Sequence, residues 1–423
     1  MRDALEMSDT RPNGWKASAQ GRDSSPFTAD RVAENSSDVT HVLMRTMTLE
    51  SSSPSGPEIT RVRWGRFRPT RGLSTLRSTW VAIFLWLGPH SVGVMAATPT
   101  IPIEPSRDSF MRGVVVSCPR AGQIWGSPEM EDTLRDLKSL GVAWISIHPY
   151  AGLRRDGSVR YRPTADTPYL AKAAELARTM DMELFLKPHL AYWGSFEWRG
   201  AIDFGADHEA WERFFDGYGD FIVDQARFAE AHRLPLLSVG VEYERTTRFE
   251  TRWRQIIASV RRVYSGKITY ASNWDSMTKV PFWDALDLIG INAYFPLSDD
   301  ATPDRQELLQ AWEGPLQQLS ELSRDQGGKP VVFAEIGYSR SPGAARQPWV
   351  AENQDTPAVR ALRQKLIEVA LLKIESAPFV SGMFWWKWIP GNDRWDRDFS
   401  MKDPEAREPL TQRWGNRRQL IVQ

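Results

Sequence analysis

From residue 110 onward, short runs rich in Val, Ile and Phe take turns with longer amphipathic stretches, and this alternation constrains the fold more than any other feature of the chain. The apolar runs are "RGVVVS" (112–117), "VAWISI" (142–147), "ELFLK" (183–187), "PLLSVG" (235–240), "KITYAS" (267–272), "ALDLIGIN" (285–292), "PVVFAE" (330–335) and "FVSGMFWW" (379–386). Helical patterns fill the intervals at 127–140, 167–180, 208–232, 247–264, 303–326 and 356–376, and a short helix closes the chain. Two of these helices open on Ser127-Pro128 and Thr167-Pro168, a capping residue followed by a proline that fits the first turn. Strands that alternate with helices imply a parallel sheet with right-handed crossovers. Eight repeats over residues 110–423 fit a (β/α)8 TIM barrel, an α/β fold, better than an open sheet. No Gly-x-Gly-x-x-Gly follows the first run and no P-loop pattern occurs, which argues against dinucleotide or nucleotide chemistry.

The residues before 110 read differently. Residues 1–60 are rich in Ser, Thr, Asp, Pro and Arg without an apolar period, and are expected to be disordered. Residues 61–97 hold a basic stretch (Arg61, Arg63, Arg66, Arg68, Arg71, Arg77), a short apolar run broken by Gly88-Pro89, and a small-residue end near Ala96-Ala97. That layout is signal-peptide-like and predicts a secreted or periplasmic protein with no stable membrane insertion after processing. An uncleaved segment would instead act as a membrane anchor, and a start site downstream would make the first residues an artefact. Residues 98–109 read as a Pro-rich linker before the barrel domain at 110–423.

Lys plus Arg and Asp plus Glu are equal at 53 each, so the chain lacks the basic surplus of a nucleic-acid binder. The single cysteine, Cys118, excludes an intramolecular disulfide and a cysteine zinc site, and reads as a small buried residue at a strand end. His148 and His189 lack the His-x-His spacing of metal-dependent barrel hydrolases, so no metal or organic cofactor is expected. Trp211 and Trp253 fall within helices and read as core packing.

In a TIM barrel the chemistry gathers where strands end, because the following loops converge on one mouth. Here those positions carry Arg120, His148, Lys187, His189, Trp193, Trp198, Glu242, Glu244, Trp274, Asn292, Tyr294, Glu335, Trp385 and Trp386. Glu242 closes the fourth run and Glu335 the seventh, and paired carboxylates are what acid–base cleavage of a glycosidic bond needs. By strand alternation Ser238, Gly240, Glu242 and Glu244 share one face, and Glu242 keeps the strand register while Glu244 enters the loop. Five of these rim positions are tryptophans, in a chain with an unusual total of 19, and indole faces suit sugar rings. Trp385 and Trp386 point to opposite faces, so one of them lines the mouth; Lys187 suits a substrate hydroxyl or an ion pair, and Arg199 with Asp275 suits a rim ion pair.

The motifs "LKPHLAYWGSFEWRGAI", "SVGVEYE", "YASNWDS", "LIGINAYFPL" and "VVFAEIGYS" resemble, in order and spacing, glycoside hydrolase family 113, over residues 111 to 400. The resemblance implies a (β/α)8 barrel that hydrolyses β-1,4-mannan-type polysaccharide with retention, with Glu242 as acid/base and Glu335 as nucleophile. It further implies that Tyr294 hydrogen-bonds the nucleophile and that Trp385 or Trp386 lies under the cleaved sugar. Many members of the wider clan carry Asn directly before the acid/base; here Val241 stands there, which leaves the sugar 2-hydroxyl to Asn292, His189 or Arg120. The expected carboxyl separation for retention is about 5–5.5 Å. A monomer is expected. Two other readings stay open at this point: a glycan-binding barrel without catalysis, and a β-glycosidase acting on another glycan.

Overall fold

The computed structural model describes residues 110–119, 121–391 and 398–415. The expected disordered extension (1–60), signal-like segment (61–97), linker (98–109) and Arg120 lie outside the described residues. Eight parallel strands close into a barrel in the ring order β1-β11-β10-β9-β8-β7-β5-β2. They are β1 (Met111–Val116), β2 (Trp144–Ile147), β5 (Glu183–Leu186), β7 (Leu236–Val241), β8 (Lys267–Asn273), β9 (Leu288–Asn292), β10 (Val331–Ile336) and β11 (Val380–Trp388). Each coincides with one of the apolar runs, because a strand buried on both faces reads as continuous Val, Ile, Leu and Phe.

The barrel interior is packed by side chains from facing strands, among them Met111, Val115, Phe185, Leu236, Ala271, Leu288, Val332 and Phe384. The opposite strand faces meet the helices in a larger cluster that includes Val114, Ile145, Leu237, Ile289, Phe333 and Met383. Trp211, Trp253 and Cys118 are buried, as expected of core residues. The two proline-led helices run Pro128–Ser139 and Pro168–Thr179. Their capping residues, however, turn their hydroxyls backward: Ser127 donates to the Ile124 carbonyl at 2.9 Å and Thr167 to that of Thr164 at 2.8 Å.

Two departures from the sequence reading have simple causes. The helix expected at 303–326 is two, Arg305–Ala311 and Glu313–Asp325. Pro315 cannot donate an amide and its ring crowds the carbonyl four residues back, at Ala311, where the first helix stops. A small side sheet was not expected: β3 (Tyr150–Leu153) pairs parallel with β6 (His189–Ala191) and antiparallel with β4 (Val159–Arg160). These segments are two to four residues long and two of them follow prolines, Pro149 and Pro188, so they read as loop. β3 and β6 continue the second and third barrel strands past the rim, and the His189 amide bonds the Pro149 carbonyl at 2.9 Å.

Candidate active site

Glu242 reaches the barrel mouth by a different route from simple alternation. Leu236 and Val241 pack inside the barrel, whereas Leu237 and Val239 pack against the helices. A bulge between Ser238 and Val241 accounts for this: Val239 and Gly240 both face outward, so the register slips by one residue. A Cβ on Gly240 would sit 2.7 Å from the Tyr270 ring and 2.8 Å from that of Trp253, so only glycine fits there. Val241 therefore takes the inward place that alternation assigned to Glu242. The chain then turns at Glu242 itself, whose φ of 60° is left-handed, a conformation that costs a non-glycine residue free energy.

Glu335 stands on a second bulge. Ala334 packs inside the barrel while Phe333 and Ile336 pack outside, and the ladder shifts register between Phe333 and Glu335. The extra residue turns Glu335 inward, where its side chain is 4% exposed; that of Glu242 is 12% exposed.

Each carboxylate is held by its own set of donors. Glu335 forms a buried ion pair with Lys187 and accepts from the Tyr294 hydroxyl at 3.2 Å. Lys187 also donates to the Ala334 carbonyl at 3.1 Å. Glu242 accepts from Arg199 through Nε at 3.2 Å and Nη2 at 3.0 Å, and from the Asn292 amide at 2.7 Å. Arg199 Nη1 lies 3.2 Å from His189 Nδ1, and the other ring nitrogen of His189 is 3.9 Å from Glu335. Asn292 joins the two carboxylates most directly. Its backbone is paired in register with Glu335, and its side chain reaches Glu242.

Aromatic rings wall this cluster. Trp386 packs inside the barrel, with His148 stacked on it at 5.5 Å and His189 stacked on His148 at 4.8 Å. Lys187 Nζ sits 5.5 Å from the Trp386 ring centre. Trp385 points the other way, fully buried among the outer residues, so of the two candidates Trp386 alone faces the mouth. Trp193 stacks on Tyr192 at 5.0 Å, and the Arg199 guanidinium lies 5.8 Å over Tyr192. Trp274 stacks on Trp349, and Trp198 is exposed. Glu244 lies in the loop, as expected, in an ion pair with Lys279 at 2.6 Å.

The profile of Glycoside Hydrolase Family 113 matches residues 118–400. The chain belongs to that family. It is therefore a glycoside hydrolase. The family 113 β-mannanase AaManA from Alicyclobacillus acidocaldarius, solved in complex with ManMIm, is 26% identical, with a TM-score of 0.61 over 72% of this chain and 96% of that one. Two structures of a family 113 β-1,4-mannanase, at 22% and 23% identity, have TM-scores of 0.64 and 0.62 and cover 73% of this chain and 99% of theirs. No curated protein matches the chain in sequence.

Arg199 lies on the rim, but its ion pair differs from the one its sequence position suggests. Arg199 was paired with Asp275, but the structure gives it to Glu242, while Asp275 accepts from Asn273 at 2.9 Å. Its signal was weak: an arginine in a long loop after the third barrel strand, with no period to aim it. Among the described residues no group of three or more His, Cys, Asp or Glu is arranged to hold a metal ion, and no helix is long and apolar enough to cross a membrane.

Proposed function

We propose that the chain hydrolyses β-1,4-linked mannan-type polysaccharide with retention of configuration, Glu335 acting as nucleophile and Glu242 as acid/base. The observation that carries this reading is the linked pair of carboxylates, each with different company: Asn292 bridges from the Glu335 register to Glu242, while Lys187 stands beside Glu335 alone. Both carboxylates have a cationic neighbour, Arg199 for Glu242 and Lys187 for Glu335, and the difference is burial. The fully buried Lys187 ammonium favours the ionised form of Glu335, which suits a carboxylate that must attack. Glu242 keeps more contact with solvent, which suits a group that must exchange protons with a leaving oxygen and then with water.

In the first step a Glu335 oxygen bonds to the anomeric carbon, the glycosidic C–O bond breaks, and the Glu242 proton passes to the departing oxygen. In the second, Glu242 takes a proton from water, the water oxygen bonds to the same carbon, and the ester to Glu335 breaks. The Tyr294 hydroxyl orients the nucleophile, and Trp386 offers a flat face beneath the cleaved sugar. Asn292 and His189 line the position from which a 2-hydroxyl can be bound without the Asn of the wider clan. The β-mannanase likeness, at 26% identity over nearly all of that chain, supports mannan as the polymer.

The test is hydrolysis of mannan, glucomannan and cello-oligosaccharides by the wild type, Glu335→Gln and Glu242→Gln, with the first-formed anomer followed by NMR. Retention on mannan with loss of turnover in both variants is expected. An inverted first product removes the nucleophile role from Glu335, and preference for a glucan overturns the choice of polymer.

A further inference from the structure

Among the described residues only two large apolar side chains are exposed, Trp198 at 37% and Trp349 at 47%. Trp198 has a local reason for its position: its ring covers Gly200 so closely that a Cβ there would lie 2.1 Å from it. Trp349 has no such cover. Its neighbour is another indole, Trp274, with ring centres 6.0 Å apart and planes inclined by only 22°. The outcome is a two-ring stack whose outer member is almost half open to solvent.

Both rings belong to the mouth that holds the carboxylates. Trp274 directly follows Asn273, whose register partner is Asn292, the residue that bonds Glu242. Its other aromatic neighbour, Phe295 at 5.8 Å, is one residue past Tyr294. Trp349 sits in the loop that leaves β10 just after Glu335. That loop is fastened. Ser339 Oγ donates to the Val350 carbonyl at 2.6 Å, the Gln354 amide bonds the Arg340 carbonyl at 2.8 Å, and Ala351 packs against the barrel-interior cluster. An indole held open on a fastened loop, backed by a second indole, is a preformed surface that loses little entropy on binding.

We infer that Trp349, backed by Trp274, is a stacking platform for a sugar ring of the polymer beyond the pair that is cleaved. The inference rests on the proposed action on a β-linked polysaccharide. Pyranose rings in such chains present C–H faces that an indole covers well, and a platform on the rim is reached only by a substrate long enough to extend past Glu242 and Glu335. The platform therefore selects for chain length.

The experiment compares wild type and Trp349→Ala on manno-oligosaccharides of two to six units, with Trp349→Phe as the conservative variant. The expected result is that Trp349→Ala lowers kcat/KM about tenfold more on six units than on the shortest cleaved substrate, mostly through KM, and that Trp349→Phe restores most of the difference; tenfold corresponds to about 1.4 kcal/mol. Equal loss at every length, or none, overturns the platform and leaves Trp349 a packing residue. If another β-linked polymer is cleaved in place of mannan, the proposed polymer falls, and the same length series on that polymer decides the platform. If no polymer in the panel is cleaved, calorimetric binding of the hexaose and shorter oligomers to Glu335→Gln, with and without Trp349→Ala, decides it by the same ratio.

Discussion

Replacing Lys187 by Met keeps the unbranched stem of the side chain and removes its charged end from the centre of the site. Lys187 is fully buried, pairs with Glu335 and donates to the Ala334 carbonyl. Breaking a buried ion pair by removing one member costs about 3–5 kcal/mol, because the other charge stays behind in a medium of low polarity. The neighbours that remain around Glu335 include the Tyr294 hydroxyl and His189, so the low end, about 3 kcal/mol, applies to the pair. The Ala334 carbonyl adds about 1 kcal/mol for its lost donor. The expected sum of about 4 kcal/mol corresponds to a Tm lower by about 8 °C at neutral pH. Its sign with pH is fixed. Without the cation, burial favours the neutral carboxyl, so the folded variant binds that proton more tightly than the unfolded chain does. The deficit is therefore largest at neutral pH and shrinks as the pH falls through the carboxylate range. If Glu335 is the nucleophile, as proposed, the acid limb of kcat/KM moves to higher pH for the same reason. Urea melts at pH 7 and pH 4, with a pH–rate profile, test both statements. A variant as stable as wild type at pH 7, with its acid limb unmoved, refutes the reasoning.

Gly240→Ala places a methyl against the Tyr270 and Trp253 rings at the bulge, and should cost about 1–3 kcal/mol in denaturant melts while misplacing Glu242 and lowering kcat. Trp385→Phe should lower the Tm and leave KM within about twofold, whereas Trp386→Phe should raise KM or lower kcat with a smaller change in Tm. Arg363, buried and bonded to Asp403, Glu405 and the Tyr338 carbonyl, ties the helix Pro357–Glu375 to the loop after β10; Arg363→Met should cost about 3 kcal/mol by urea denaturation.

The eight barrel strands were legible because a parallel strand covered on both faces must be apolar throughout, and the carboxylates were legible because they end two of those strands. Glu242 lies at the mouth, as strand alternation implies, but it arrives there through a bulge and a left-handed turn instead. A bulge leaves no mark in an apolar–polar pattern, and only Gly240, caught between two outer rings, hints at it. Arg199 was assigned to the wrong acid because loop residues carry no period, and contacts between the loop after the third strand and the end of the fourth arise only once the barrel closes. Trp385 and Trp386 were correctly read as opposed, but the direction of each depends on the register of β11 between its neighbours, which no local pattern encodes.

Asn292 takes its position from the ladder between β9 and β10, not from any loop. The span between the two acids is thus gauged in part by a backbone rung at the strand ends, while the loop that carries Arg199 grips only Glu242. On the proposed mechanism, rim loops other than the one bearing Arg199 can be lengthened, shortened or re-faced to change how much polymer is gripped, while the rung between Asn292 and Glu335 stays as the strands set it.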